Sequence, residues 1–275
     1  MNFNIKDKKE LLAITIISTI LVAYYINFNA NLGIYCSDVY VYLLNALYYS
    51  GTNIHSTKSI YLSPVVCFLT SLLFNLGYVD KVAIFIVTGI LAIIGNIGLY
   101  LLLRLKFDNL LSLTGTIIYS TLALNLTWLA NGSLDIPAVS ITIWIAYFAI
   151  IAIKDNPKYY AVAFPLIIIG FFTRYTVALV VPALVLYYLY EKGIKFTKED
   201  LKYIFIGLII AIIIGSIILM TIYTMGGGEL IFDGLIKGGV QGNLGSTHDN
   251  SYNPDFGYYL TNMGNFISSS NTTFV

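Results

Sequence analysis

The chain has 275 residues, 58% of them hydrophobic and only 11% charged, with a formal net charge of +1. Soluble domains carry roughly 45–50% apolar and about 25% charged residues, so a mean hydropathy of +0.80 marks an integral membrane protein. No basic run is present and no nucleic-acid partner is expected, and Cys36 and Cys67 make neither a disulfide framework nor a thiolate metal site.

Lys6, Lys8 and Lys9 precede the first uncharged stretch, about 11–28, which ends in Tyr24, Tyr25 and Phe28. Such an interfacial aromatic belt closes a membrane span. No small-residue cleavage site stands out and more spans follow, so this one reads as a retained helix. The next stretch, 33–61, is too polar and too rich in tyrosine to cross. It carries the acid Asp38 beside Ser37, Tyr40 and Tyr42. A further apolar run, 62–77, is about 16 residues long, short of the roughly 20 that a crossing needs. Uncharged runs then recur at 82–103, 110–128, 136–153, 159–173, 175–190 and 203–225.

Basic residues decide whether 62–77 crosses, because cytoplasmic loops collect Lys and Arg. If it stays on one side, Lys6, Lys8, Lys9, Arg104, Lys106, Lys154, Lys158, Lys192, Lys195, Lys198 and Lys202 share one face. Only Lys58, Lys81, Arg174 and Lys237 lie opposite. A crossing would scatter them, so 38–50 and 62–77 are expected as helices lying at the outer interface. Basic residues and tyrosines flank both ends of 159–190, so this stretch reads as a hairpin turning at Phe172-Thr173-Arg174-Tyr175.

The expected fold is an all-α polytopic transmembrane bundle with interfacial helices in the first outer loop. Residues 1–225 form the membrane domain and 226–275 an extracytoplasmic tail or loop. The expected location is the cell membrane, multi-pass, with the N-terminus cytoplasmic.

In this topology Asp38, Asp135, Arg174, His248 and Asp249 fall on one face, with Tyr40 and Tyr42 near Asp38 in sequence. Ionisable groups at membrane depth are costly and are functional candidates by default. Asp38 has two readings: a helix-start charge behind a Ser37 cap, or a general base taking the proton of an attacking hydroxyl. Asp135, in N-G-S-L-D-I-P-A, is either a helix-start acid or a second polar contact in the same cavity. Arg174, between two apolar arms, needs an anion: a lipid headgroup or a specific phosphate. His248 and Asp249 fit a solvated loop, and one His with one Asp is a weak metal signal.

Five segments taken in order resemble a known group: S-D-V-Y after the first span, Y-L-S-P-V-V-C-F-L-T-S-L-L-F-N-L-G, a span ending L-L-L-R-L-K-F, N-G-S-L-D-I-P-A, and F-F-T-R-Y-T-V-A. They are similar to the GT-C membrane glycosyltransferases, in the branch of the dolichyl-phosphate-mannose protein mannosyltransferases and aminoarabinose transferases. The likeness covers about 35–190. It departs where Asp38 stands alone instead of in Asp-Glu, where Ser-Pro-Val replaces Pro-Pro-Leu, and in the short chain.

The resemblance implies a polyprenyl- or dolichyl-phosphate sugar donor, a surrounding membrane lipid, and a protein, lipid or glycan acceptor. It implies inverting transfer on the extracytoplasmic face, with no cofactor and a divalent metal left open. Asp38 would be the catalytic base, with Asp135, Arg174, Tyr40, Tyr42 and His248 binding substrate. Two other readings stand beside it: a transporter or flippase of lipid-linked or small polar solutes, and an inactive, truncated membrane subunit.

Overall fold

The computed structural model describes residues 7–52 and 63–224. His248, Asp249 and the expected tail 226–275 lie outside the described residues. Among those described there is no strand, and the chain is an all-α bundle. Four helices are long and apolar enough to cross a membrane: α1 (Asp7–Leu32), α4 (Val82–Arg104), α7 (Asp135–Lys154) and α10 (Lys198–Ile222). Between α1 and α4 lie the shorter α2 (Ser37–Tyr49) and α3 (Pro64–Asn75), which pack on each other. Pro64 occupies the first turn of α3, where its missing N–H costs nothing.

The stretch 110–128, expected as one helix, is two: α5 (Asn109–Thr121) and α6 (Ala123–Trp128), broken at Leu122 with ψ 137°. No proline or glycine causes the break. Ser120 and Thr121 turn their hydroxyls back onto the Ile117 carbonyl, and Asn125 Nδ2 donates to the carbonyl of Tyr119. Side chains that bond the backbone locally compete with the helical ladder and bend it.

The stretch 159–190 also divides. A 3-10 turn at Pro157–Tyr159 leads into α8 (Tyr160–Thr173), and a second at Tyr175–Leu179 leads into α9 (Val180–Lys192).

Helix α4 is the centre. It packs against α1 on one side and α7 on the other. Apolar burial drives little in lipid, so close backbone approach through small residues carries the packing. A Cβ on Gly95 would come within 2.2 Å of Ser140 Oγ on α7. Helix α10 lies along α8 in the same way, through Gly207, Ala211 and Gly215, all buried. A Cβ on Gly207 would stand 2.6 Å from the Tyr160 carbonyl oxygen.

Polar contacts gather at the two ends of the bundle. At one end Asn109 reaches Glu10 (3.5 Å) and Lys154 pairs with Glu191 (3.1 Å). There the start of α10 is fixed by a capping box between Thr197 and Asp200, and Lys192 holds the buried Asp200 carboxylate at 2.9 Å. At the other end are the C-terminus of α1, helix α2, the N-terminus of α7 and the C-terminus of α8.

Candidate active site

Asp135 is the first residue of α7. The loop before it, 129–134, is shaped by three local devices. Ala130 adopts φ 51°, the left-handed region that ordinary residues avoid, and is fully buried. Asn29, near the end of α1 and buried, donates both amide hydrogens to this bend, to the carbonyls of Leu129 (3.0 Å) and Ala130 (2.9 Å). Gly132, at φ 86°, lies against Val39 of α2 and Ile84 of α4, and a Cβ there would be 2.7 Å from Val39.

Side chains finish the loop. Asn131 Oδ1 accepts the Ser133 amide at 2.8 Å and its Nδ2 donates to the Tyr35 hydroxyl at 2.6 Å. Tyr35 in turn donates to the Thr127 carbonyl at 2.8 Å. Ser133 Oγ donates to Asp135 Oδ2 at 2.5 Å. The other carboxylate oxygen, Oδ1, pairs with Arg174 Nη1. Arg174 sits between α8 and the 3-10 turn, in extended backbone, with its N–H on the Gly170 carbonyl at 2.8 Å. The pair is accessible, with the Asp135 side chain 43% and the Arg174 side chain 37% exposed. One Arg nitrogen is committed to Asp135, and a guanidinium carries five N–H donors in all.

Helix α2 brings Asp38 and Tyr42 to the same place. They are four residues apart, one above the other on a helical face. Tyr42 is buried and Asp38 is exposed. Burial pushes the Tyr42 phenol well above its usual range; the Asp38 carboxylate pushes the same way and the Arg174 guanidinium opposes it. Tyr42 therefore shares a field with both, and stays a neutral donor. Ser37 is not the cap expected from sequence. It is the first residue of α2, Cys36 holds the capping position without a side-chain bond, and Ser37 Oγ lies 3.5 Å from Asp38 Oδ1.

Asp38, Tyr42, Asp135 and Arg174 thus gather at one end of the bundle. Tyr40 does not join them by any contact: it is 55% exposed and two residues from Asp38, on another face of α2. Asn29, Tyr35, Asn131 and Ser133 belong to the site and carry no charge that singles them out. Asn131 and Ser133 stand in the segment N-G-S-L-D-I-P-A, and Asn29 and Tyr35 have only their place at or just after the end of a span as a signal. Among the described residues no three of His, Cys, Asp or Glu gather as a metal site would require.

Beside this end lies an apolar groove of about 260 Å³ between α2, α3, α8 and α10, walled by Tyr49, Phe68, Leu69, Ile169, Ile217 and Ile222. Ile169 is one turn of α8 before Thr173, whose hydroxyl bonds the Ile169 carbonyl at 2.9 Å. The groove therefore touches α8 at Ile169, five residues before Arg174.

No curated protein and no solved structure matches the chain. The family described as dolichyl-phosphate-mannose-protein mannosyltransferase matches residues 62–220. That segment includes Asp135 and Arg174, while Asp38, Tyr40, Tyr42 and His248 fall outside it. It spans α3 to α10, more than half of the chain, and so the protein belongs to the dolichyl-phosphate-mannose-protein mannosyltransferase family, membrane glycosyltransferases of the GT-C type.

Proposed function

We propose that the protein moves a sugar from a polyprenyl- or dolichyl-phosphate carrier to a hydroxyl acceptor on the extracytoplasmic face of the membrane. The observation that carries this reading is an exposed carboxylate, Asp38, and an accessible Asp135–Arg174 pair at the same end of a bundle whose family uses lipid-linked donors. The apolar groove touching α8 at Ile169 adds support, since it suits the first units of an isoprenoid chain.

In this mechanism Asp38 takes the proton of the acceptor hydroxyl as its oxygen attacks the anomeric carbon. The bond from that carbon to the phosphate oxygen breaks, and the configuration inverts. The leaving phosphate needs no strong acid, only compensation of its charge, and the remaining Arg174 donors supply it. Asp135 and Ser133 hold the guanidinium in place. Tyr42 lies close enough to be felt by Asp38 and Arg174 and offers a neutral O–H to a sugar hydroxyl. Tyr40 and His248 remain candidates for contacts with the acceptor.

The test is transfer from a polyprenyl-phosphate sugar by purified protein in lipid nanodiscs. Asp38→Asn keeps shape and removes the base, and turnover is expected to fall about 10²–10⁴-fold with normal yield and folding. Full turnover in that variant would remove Asp38 as the base.

A further inference from the structure

Between α1, α4, α5, α6 and α7 is a second, small cavity, with a lining apart from Asp38, Tyr42, Asp135 and Arg174. It measures about 20 Å³ as the space open to the centre of a water-sized sphere, and Ser18, Asn96, Tyr119, Ser120, Asn125 and Ser140 contribute its polar wall. We propose that it is a binding site for one water molecule, which ties the broken α5–α6 segment to the three long helices.

The polar inventory is the first argument. The buried face of α5 consists of Ser112, Thr116 and Ser120, with no apolar residue among them. Thr116 and Ser120 donate to carbonyls of their own helix, at 2.9 and 3.0 Å, which leaves each oxygen able to accept. Asn96 spends one amide hydrogen on Ser18 Oγ, at 3.0 Å. Its Oδ1 and second hydrogen remain, as does the Ser18 hydroxyl proton. Ser140 is 4% exposed and lines the same cavity. In a bilayer there is no solvent nearby to satisfy such groups, and an unpaired buried hydroxyl costs roughly 1–3 kcal/mol.

Size is the second argument. A water needs about 10–15 Å³ and two to four polar partners. The space holds one molecule and is too small for a chain of them or for a sugar. Position is the third. Ser140 Oγ lies over Gly95, where any side chain would collide with it. The α4–α7 crossing is therefore built around a hydroxyl, though alanine would pack as closely with one polar atom fewer.

Radiolytic labelling reads such waters directly, because a bound water split by X-rays oxidises the side chain beside it. The protein is exposed in nanodiscs after rapid mixing with ¹⁸O-water. Tyr119, half-buried at the cavity wall, is expected to be oxidised and to retain ¹⁶O, while Tyr190, 84% exposed, takes up ¹⁸O at once. Ser140→Val puts a methyl group into the cavity, and oxidation at Tyr119 should then fall to the level of Tyr100, which is fully buried away from the cavity. Ser18→Val should do the same from the opposite wall and serves where the first variant does not fold. No oxidation of Tyr119 in the parent protein, or the same oxidation in a folded variant, overturns the site. None of these outcomes depends on sugar transfer.

Discussion

The phenol of Tyr42 sits where a carboxylate and a guanidinium act on it in opposite directions. Burial raises its ionisation above the usual tyrosine range, Asp38 adds to the rise and Arg174 subtracts. Unfolded tyrosine ionises near pH 10. The stability linked to this group is fully present below that value and is lost as pH rises toward the higher folded value. Tyr42→Phe should therefore flatten the alkaline fall in thermal stability above about pH 10, measured by unfolding in nanodiscs, and leave the neutral range little changed. An unaltered alkaline limb would place Tyr42 outside this field. The ion pair of Asp135 and Arg174 is a different case. Both partners are more than a third exposed, and exposed pairs contribute roughly 0–1 kcal/mol. Its value lies in where it holds the guanidinium. Arg174 was legible in the sequence because it interrupts an apolar run, and Asp135 because it is an acid at the start of a span. Asn29 was not: Asn is ordinary at a span end, and its bonds reach across 100 and 101 residues.

Several helix crossings in this protein close on glycine. The α8–α10 contact is the clearest instance, with Gly207 set against backbone that cannot step aside. Gly207→Leu is expected to destabilise the protein by more than the 1–3 kcal/mol typical of overpacking, because the obstacle is a carbonyl rather than a flexible side chain. Thermal unfolding of the variant, with Leu208→Ala as a control on the 41%-exposed neighbouring face, gives the measurement. An equal effect of both would mean that α10 is held some other way. The stripe Gly207-Ala211-Gly215 is readable once the partner is known. The break at Leu122 is harder to read, since apolar periodicity runs through it and only the placing of Ser120, Thr121 and Asn125 disrupts the ladder. The capping box at Thr197 was open to sequence reading, as Thr-Lys-Glu-Asp opens a span.

For the whole molecule, an all-α membrane bundle followed from composition and hydropathy alone. Alternation of helix direction is written in the contacts as well: α1 runs opposite to α4, with Asn96 on Ser18 and Gly89 on Val22. Which end faces out is a separate matter, resting on the distribution of Lys and Arg. In a Cys36→Ser, Cys67→Ser background, an impermeant maleimide should label Asp80→Cys in intact cells. Lys106→Cys and Lys195→Cys should react only after permeabilisation. The opposite pattern would turn the molecule over and with it the face assigned to Asp38.

The amide of Asn29 gives the fold a history as well as a shape. Helix α1 leaves the ribosome before α7, yet the carbonyls that Asn29 holds belong to Leu129 and Ala130. During synthesis that amide must wait, hydrated at the membrane surface, while α2 through α6 are made. Asp135 follows those carbonyls by a few residues, so the candidate site closes only when the second half of the chain returns to the first. A ribosome stalled before residue 129 would leave α1 in place and the site incomplete.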